Sequence, residues 1–210
     1  MEGRREFIKK IAGLFSGATI LAGMISPILK PLYGREREPL FSAGNMGNIK
    51  TLSGRKLQVT PLSSFGVMGQ TGIQVDKNEW HLEIHSKRGN FISYSYEEIL
   101  KLPSFEKEVL LDCPGFFQNN GLWRGFSLGS ILNERGMAEG IEKVEISGLN
   151  GKKPRALEFS IEPILSDRVF LAYGVNRETL PARHGFPLRV VAKGYAGSRW
   201  VKYVNKITLI

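Results

Sequence analysis

The side chains able to do chemistry in this sequence are few. Cys113 is the only cysteine among 210 residues, and His81, His85 and His184 are the only histidines. A single cysteine cannot close an internal disulfide, and a zinc site would have to be completed by histidines and carboxylates. Cys113 is therefore either a small hydrophobe in the core or a bearer of chemistry, as a thiolate. His81 and His85 stand four apart in an alternating run; in a strand that separates them by roughly 13 Å, too far to share a metal, and they read as exposed strand residues. The second feature is basic. The formal net charge is +9, of which residues 1–30 contribute +3. No acidic residue follows Glu178, whereas Arg183, Arg189, Lys193, Arg199, Lys202 and Lys206 all do. Such a stretch suits an anionic cofactor, an acidic partner, nucleic acid or a lipid surface. Its basic residues are interleaved with apolar strand-like ones, which argues against nucleic acid.

The elements that must position these groups are mostly strands. Trp80, Leu82 and Ile84 alternate with His81, Glu83 and His85, the period of a half-buried strand. Ser95 with Glu98 three residues on forms a capping box for a short helix that Pro103 stops. A strand Val109 to Asp112 delivers Cys113 into a turn at Pro114-Gly115, so the thiol sits at a strand end, where a side chain can face a ligand. Ser127 caps a second helix that ends at Gly136. Further strands are expected at Lys143 to Ser147, Ala156 to Ile161, Phe170 to Val175, Leu188 to Ala192 and Val201 to Leu209. There is no strand–helix alternation, no GxGxxG, no phosphate-binding P-loop and no repeat, which excludes a doubly wound nucleotide fold. The expected class is a strand-dominated α+β domain. At 42% hydrophobic residues the chain can bury one substantial core but hardly two.

Residues 1–30 read as an address. Arg4-Arg5-Glu6-Phe7-Ile8-Lys9-Lys10 precedes Ile11 to Leu29, which has no charged residue; this is a charged region followed by an apolar one. The pattern resembles the twin-arginine signal, which exports proteins already folded around a cofactor. A buried helix is the competing reading, but Gly13, Gly17, Gly23 and Pro27 make a poor helix interior. No small-x-small cleavage site follows, and residues 11–29 are just long enough to serve as a membrane anchor. The expectation is an exported, periplasmic or otherwise extracytoplasmic protein. Residues 31–60 are expected to be a linker or a segment draped over the domain, and residues 61–210 the domain itself.

Three blocks carry a family resemblance: Leu110-Leu111-Asp112-Cys113; Gly121-Leu122-Trp123-Arg124-Gly125-Phe126-Ser127-Leu128; and the run from Phe170 to Lys202, FLAYGVNRETLPARHGFPLRVVAKGYAGSRWVK. Together they closely resemble the molybdopterin-binding domain of the sulfite oxidase family, over roughly residues 60 to 210. That family includes sulfite oxidases, plant nitrate reductases and bacterial periplasmic reductases of protein methionine sulfoxide. The resemblance implies a mixed α+β fold and a molybdenum-molybdopterin cofactor with Cys113 as the metal ligand. It also implies that His184 and Arg189 bind the pterin and its phosphate, and that Trp200, Val201 and Lys202 form a closing segment around the same group. The chemistry agrees: a thiolate is a soft, strongly donating ligand for a metal that changes oxidation state, and arginine and lysine suit a buried phosphate.

The sequence departs from the family in the turn after the cysteine. Sulfite oxidases carry a polar turn with Asn and Arg there, whereas Cys113 is followed by Pro114, Gly115, Phe116 and Phe117. The charges that would grip sulfite or nitrate are missing, unless Arg124 or an N-terminal residue supplies them in space. Ser63-Ser64-Phe65-Gly66 stands where some bacterial members place an Asn- and Tyr-containing segment. Phe116, Phe117, Trp123 and Phe126 either wall a substrate pocket or fill the core. No haem-attachment, flavin or NAD motif is present. The resemblance therefore implies two-electron oxygen-atom transfer on a small oxo-anion or sulfoxide-type substrate, by a monomer exchanging electrons with a separate redox protein such as a membrane haem protein. Two alternatives compete. One is a thiol enzyme with Cys113 as nucleophile and His184 as base, which needs the two within hydrogen-bond reach and no metal. The other is a cofactor-free exported binding domain.

Overall fold

A computed structural model describes residues 57–151 and 153–210. The signal or anchor expected at 1–30 and most of the expected linker, residues 31–56, lie outside the described residues. Within them, alternation builds the first sheet. Leu82 and Ile84 of β1 (His81–Ser86) are fully buried while His81 faces solvent, as the period of two demands. β1 pairs antiparallel with β2 (Phe91–Ser95) and parallel with β10 (Val204–Leu209). β10 in turn pairs antiparallel with β5 (Lys143–Gly148), and β5 with β6 (Arg155–Ser160).

The second sheet is antiparallel and positions the site. β3 (Ser104–Cys113) and β4 (Phe117–Phe126) form a long hairpin; β4 pairs with β7 (Val169–Val175), which also pairs with β8 (Glu178–Thr179) and β9 (Arg189–Ala192). β7 is buried at all of its seven positions, as a continuous apolar run in a sheet centre should be. Trp123, Phe126, Phe170 and Leu171 anchor one apolar cluster that also takes in Leu82, Ile84, Ile146 and Ile207 from the first sheet. The strand-dominated α+β class expected from the sequence is the class observed.

Three short helices lie between strands. α1 (Tyr96–Lys101) starts at Ser95, whose hydroxyl accepts from the Glu98 amide at 3.3 Å while the Glu98 carboxylate accepts from the Ser95 amide at 2.8 Å; the expected capping box is formed. α2 (Leu128–Glu134) is capped by Ser127, which accepts from the Ser130 amide at 2.9 Å. α3 (Ile161–Leu165) was not expected from the sequence; Pro163 sits in its first turn, where a missing N–H costs nothing.

β2, β4 and β8 were not expected, β3 starts at Ser104 rather than Val109, and β10 starts at Val204 rather than Val201; two of these departures have a plain physical reason. β4 carries no clean alternation because Asn119 and Asn120 are buried and spend their amides on backbone and on Glu108 rather than on solvent. Asn119 accepts from Gly66 N at 3.0 Å and donates to Gly66 O at 2.9 Å, and Asn120 donates to Glu108 Oε1 at 2.7 Å and Leu57 O at 3.2 Å. These bonds lay residues 57–66 along the hairpin. Gly125 lies so close to β7 that a Cβ there would collide with the Leu171 carbonyl. Finally, β10 begins at Val204, not Val201: Tyr203 has φ 56°, and its amide donates to Gly185 O at 3.2 Å. Residues 200–203 therefore form a crossing segment instead of a strand.

Candidate functional site

Cys113 ends β3, where the hairpin turns through Gly115 with φ 82° and the Phe116 amide closes on the Cys113 carbonyl at 2.9 Å. A second segment, the 3-10 turn Gly197–Arg199, crosses the strand end; Asp112 and Ala196 form an isolated parallel bridge there. A Cβ built on Gly197 would collide with Cys113 Sγ, so only glycine lets the crossing backbone come this close. The Gly197 backbone packs directly against the sulfur. Burial pushes the Cys113 thiol up and Asp112 adds to this, whereas Arg189 and the Gly197 N–H pull it down. The protein groups around the thiol therefore do not activate it by themselves.

Arg189, at the start of β9, is buried, and its guanidinium lies 4.9 Å from the Trp123 ring and 5.4 Å from the Trp200 ring. It donates to the His184 carbonyl at 2.9 Å, and among the described residues no carboxylate pairs with it. Burial lowers its pKa to about 10, which leaves it charged at neutral pH. An enclosed cation without a counterion is costly unless an anion completes it. His184 ends the 3-10 turn Ala182–His184, stands edge-on to Phe65 with ring centroids 5.6 Å apart, and accepts from Arg183 Nε at 3.2 Å. Burial first, then the charges of Arg189, Arg183 and Lys202, lower its pKa to about 4, so the imidazole is neutral.

A cleft of about 510 Å³ opens beside the thiol. Cys113, Trp200 and Lys202 line it together. Lys202 donates to Arg183 O at 3.3 Å, and burial, with Arg189 and Arg155 nearby, lowers its pKa to about 8. Trp200 donates to Tyr195 O at 3.2 Å and meets Trp123 with centroids 5.4 Å apart. His184, Arg189 and Val201 do not line the cleft; Arg189 backs Trp200, and the Val201 carbonyl accepts from Val190 N at 2.8 Å. Arg124, one of two sources of charge the sequence left open, lies 5.9 Å over the Tyr173 ring and outside the cleft. The reason is register: Arg124 pairs with Glu106 on the hairpin and points away from the strand end that carries Cys113.

Sequence reasoning overlooked the second cation that lines the cleft, Arg155, and the backbone at Gly197. Gly197 stood inside the quoted C-terminal run, where its closeness to Cys113 has no sequence signal. Arg155 lies in Lys152-Lys153-Pro154-Arg155, which reads as a solvated basic turn. Trp123 and Phe126 are core, while Phe116 lines the cleft.

The donor set can be tested against a cofactor. Among the described residues no three or more His, Cys, Asp or Glu side chains gather to hold a metal ion. A metal at Cys113 would thus take one thiolate from the protein and its other ligands from the cofactor itself. Lys202 lines the cleft with no carboxylate among the lining residues, and among the described residues Arg189 has no counterion behind it. A soft sulfur beside uncompensated cations fits an anionic metal cofactor.

That arrangement is one an anionic redox cofactor requires. Residues 68–210 match the oxidoreductase molybdopterin binding domain, and the chain belongs to that family. It is 28% identical over 147 residues to the mitochondrial sulfite oxidase of Rattus norvegicus, covering 58% of this chain and 27% of that protein. Against a nitrate reductase [NADH] of Brassica napus it is 27% identical over 168 residues, 64% of this chain and 18% of the relative. With the uncharacterized oxidoreductase YuiH of Bacillus subtilis it shares 26% identity over 132 residues, 61% of this chain and 65% of the other. The chain thus spans about a quarter or less of the sulfite oxidase and nitrate reductase it matches. In fold it is similar to the sulfane dehydrogenase SoxCD from Paracoccus pantotrophus, with a TM-score of 0.60 at 22% identity over 73% of this chain and 49% of that one. The domain is a molybdopterin-dependent oxidoreductase, and its cofactor is molybdenum-molybdopterin.

Proposed function

We propose that Cys113 is the molybdenum ligand of an exported enzyme that carries out two-electron oxygen-atom transfer on a small oxo-anion or sulfoxide-type substrate. The observation that supports it is the Cys113 sulfur, packed against Gly197 and opening into a cleft lined by Lys202 and by no carboxylate. When bound, the cofactor supplies the oxygen exchange and the two-electron redox change. The protein's own residues bind and orient. Cys113 holds the metal, and the close Gly197 backbone fixes the place of its sulfur. Lys202 meets the phosphate as a point charge while Arg189 holds positive potential behind Trp200. Neutral His184 keeps the Arg183 and Arg189 side chains in place, and Val201 ties the closing segment to β9.

Electrons are exchanged with a separate redox protein, such as a membrane haem protein, and the enzyme works as a monomer outside the cytoplasmic membrane. Residues 4–10 direct export and residues 11–29 can anchor the chain. The thiol-enzyme alternative loses its geometry: no hydrogen bond joins Cys113 to His184, whose Nε2 is engaged by Arg183.

Molybdenum content after expression in a host that makes the cofactor tests the reading, with Cys113→Ala handled identically. The expected result is near-stoichiometric metal and pterin in the parent protein, and loss of the metal–thiolate absorption in the variant. Folded parent protein without metal or pterin would sink the proposal.

A further inference from the structure

Two cations line the cleft, and they come from different parts of the fold. Lys202 belongs to the crossing segment, beside Arg183 and the buried Arg189. Arg155 begins β6 in the other sheet. Its Nη2 donates to the Ser198 carbonyl, bracing the turn that crosses Cys113. No other protein acceptor takes its remaining N–H groups among the described residues. A guanidinium held by one nitrogen offers the rest of a rigid fork to an oxyanion.

The mouth of the same cleft is apolar. Phe116 is 73% exposed, Met68 47% and Leu149 37%, and all three line it. Exposed aromatic and aliphatic surface gathered at one cleft marks a ligand contact more than scattered exposure does. A bare inorganic anion would use Arg155 and leave this rim wet. A neutral apolar molecule would use the rim and leave the guanidinium unanswered. Only a ligand with both parts satisfies the whole opening.

Resting on the assignment of Cys113 as cofactor ligand, we propose that Arg155 and the Met68, Phe116 and Leu149 rim select an organic oxyanion as the enzyme's substrate: an apolar body with one charged, oxygen-bearing head. Arg155 holds the head near Cys113, and the rim covers the body. The charge missing from the turn after Cys113 is thereby supplied from β6.

The test uses holoenzyme whose molybdenum has first been assayed, titrated calorimetrically with hexanesulfonate, sulfate and hexyl methyl sulfoxide. Hexanesulfonate is expected to bind about tenfold tighter than either of the others, since each of these lacks one of the two contacts. Arg155→Gln, retaining its metal, should weaken hexanesulfonate about tenfold and leave the sulfoxide unchanged. Phe116→Ala, at an exposed position, should weaken hexanesulfonate and the sulfoxide but not sulfate. Sulfate binding as tightly as hexanesulfonate would overturn the proposal. So would loss of molybdenum from Arg155→Gln, which would assign that arginine to the cofactor. Loaded protein that fails to discriminate overturns this inference alone, whereas parent protein without metal overturns the cofactor reading and this with it.

Discussion

At Arg189, two opposing energies can be compared. Its stacking on two indoles contributes about 1 kcal/mol at each ring, while enclosing a guanidinium without a counterion costs several kcal/mol. The cost wins, so the residue is a liability to the empty domain that binding of an anion converts to a gain. Arg189→Met is therefore expected to leave the apoprotein no less stable than the parent, measured by thermal unfolding, and to remove much of the stabilisation that cofactor loading confers. A fall in apoprotein melting temperature would show that the stack matters more than the charge. His184 makes a separate prediction. Its pKa is lowered from 6.5 to about 4 on folding, so the unfolded chain binds the proton more readily. The stability held by neutral His184 is fully present above about pH 6.5 and is lost as pH falls through about 4. His184→Gln, which keeps an acceptor, should flatten the loss of urea resistance across that window.

At the scale of elements, the capping box before α1 closes both of its bonds. Ser95→Ala should cost about 1 kcal/mol in urea unfolding and leave molybdenum content untouched, because the helix lies on the edge-strand side of the first sheet and not at the cleft. Such local chemistry is legible in sequence because its partners are three residues apart. The alternation of β1 and the apolar run of β7 were readable for the same reason. β4 was not, since Asn119 and Asn120 break the pattern and are buried only because a segment some fifty or more positions away supplies their partners. The site divides along the same line. Cys113, Trp200 and Lys202 came from dense motifs and meet in one cleft, but the placement of Arg155 depends on the β5–β6 register and on a turn it touches only in space.

For the whole molecule, the uncompensated cations behind and within the cleft connect cofactor binding to stability. A ligand that binds only the folded state at a thousand times its dissociation constant adds about 4 kcal/mol. Domain expressed without the cofactor should thus unfold at lower temperature than loaded domain, by several degrees in a calorimetric scan. Equal melting temperatures would mean that the cations are compensated some other way.

The parallel pairing of β1 with β10 sets an order on events during synthesis. Glu83 meets Lys206 at the centre of the first sheet, and roughly 120 residues of chain must emerge between them before that pairing can start. Until then β1 has only β2 beside it, and a lone two-stranded hairpin is marginal in water. β1 and β2 therefore cannot mature early while the ribosome is still translating. Completion of the first sheet comes late, and it draws in β10 together with the adjoining Trp200–Lys202 segment that closes the cleft.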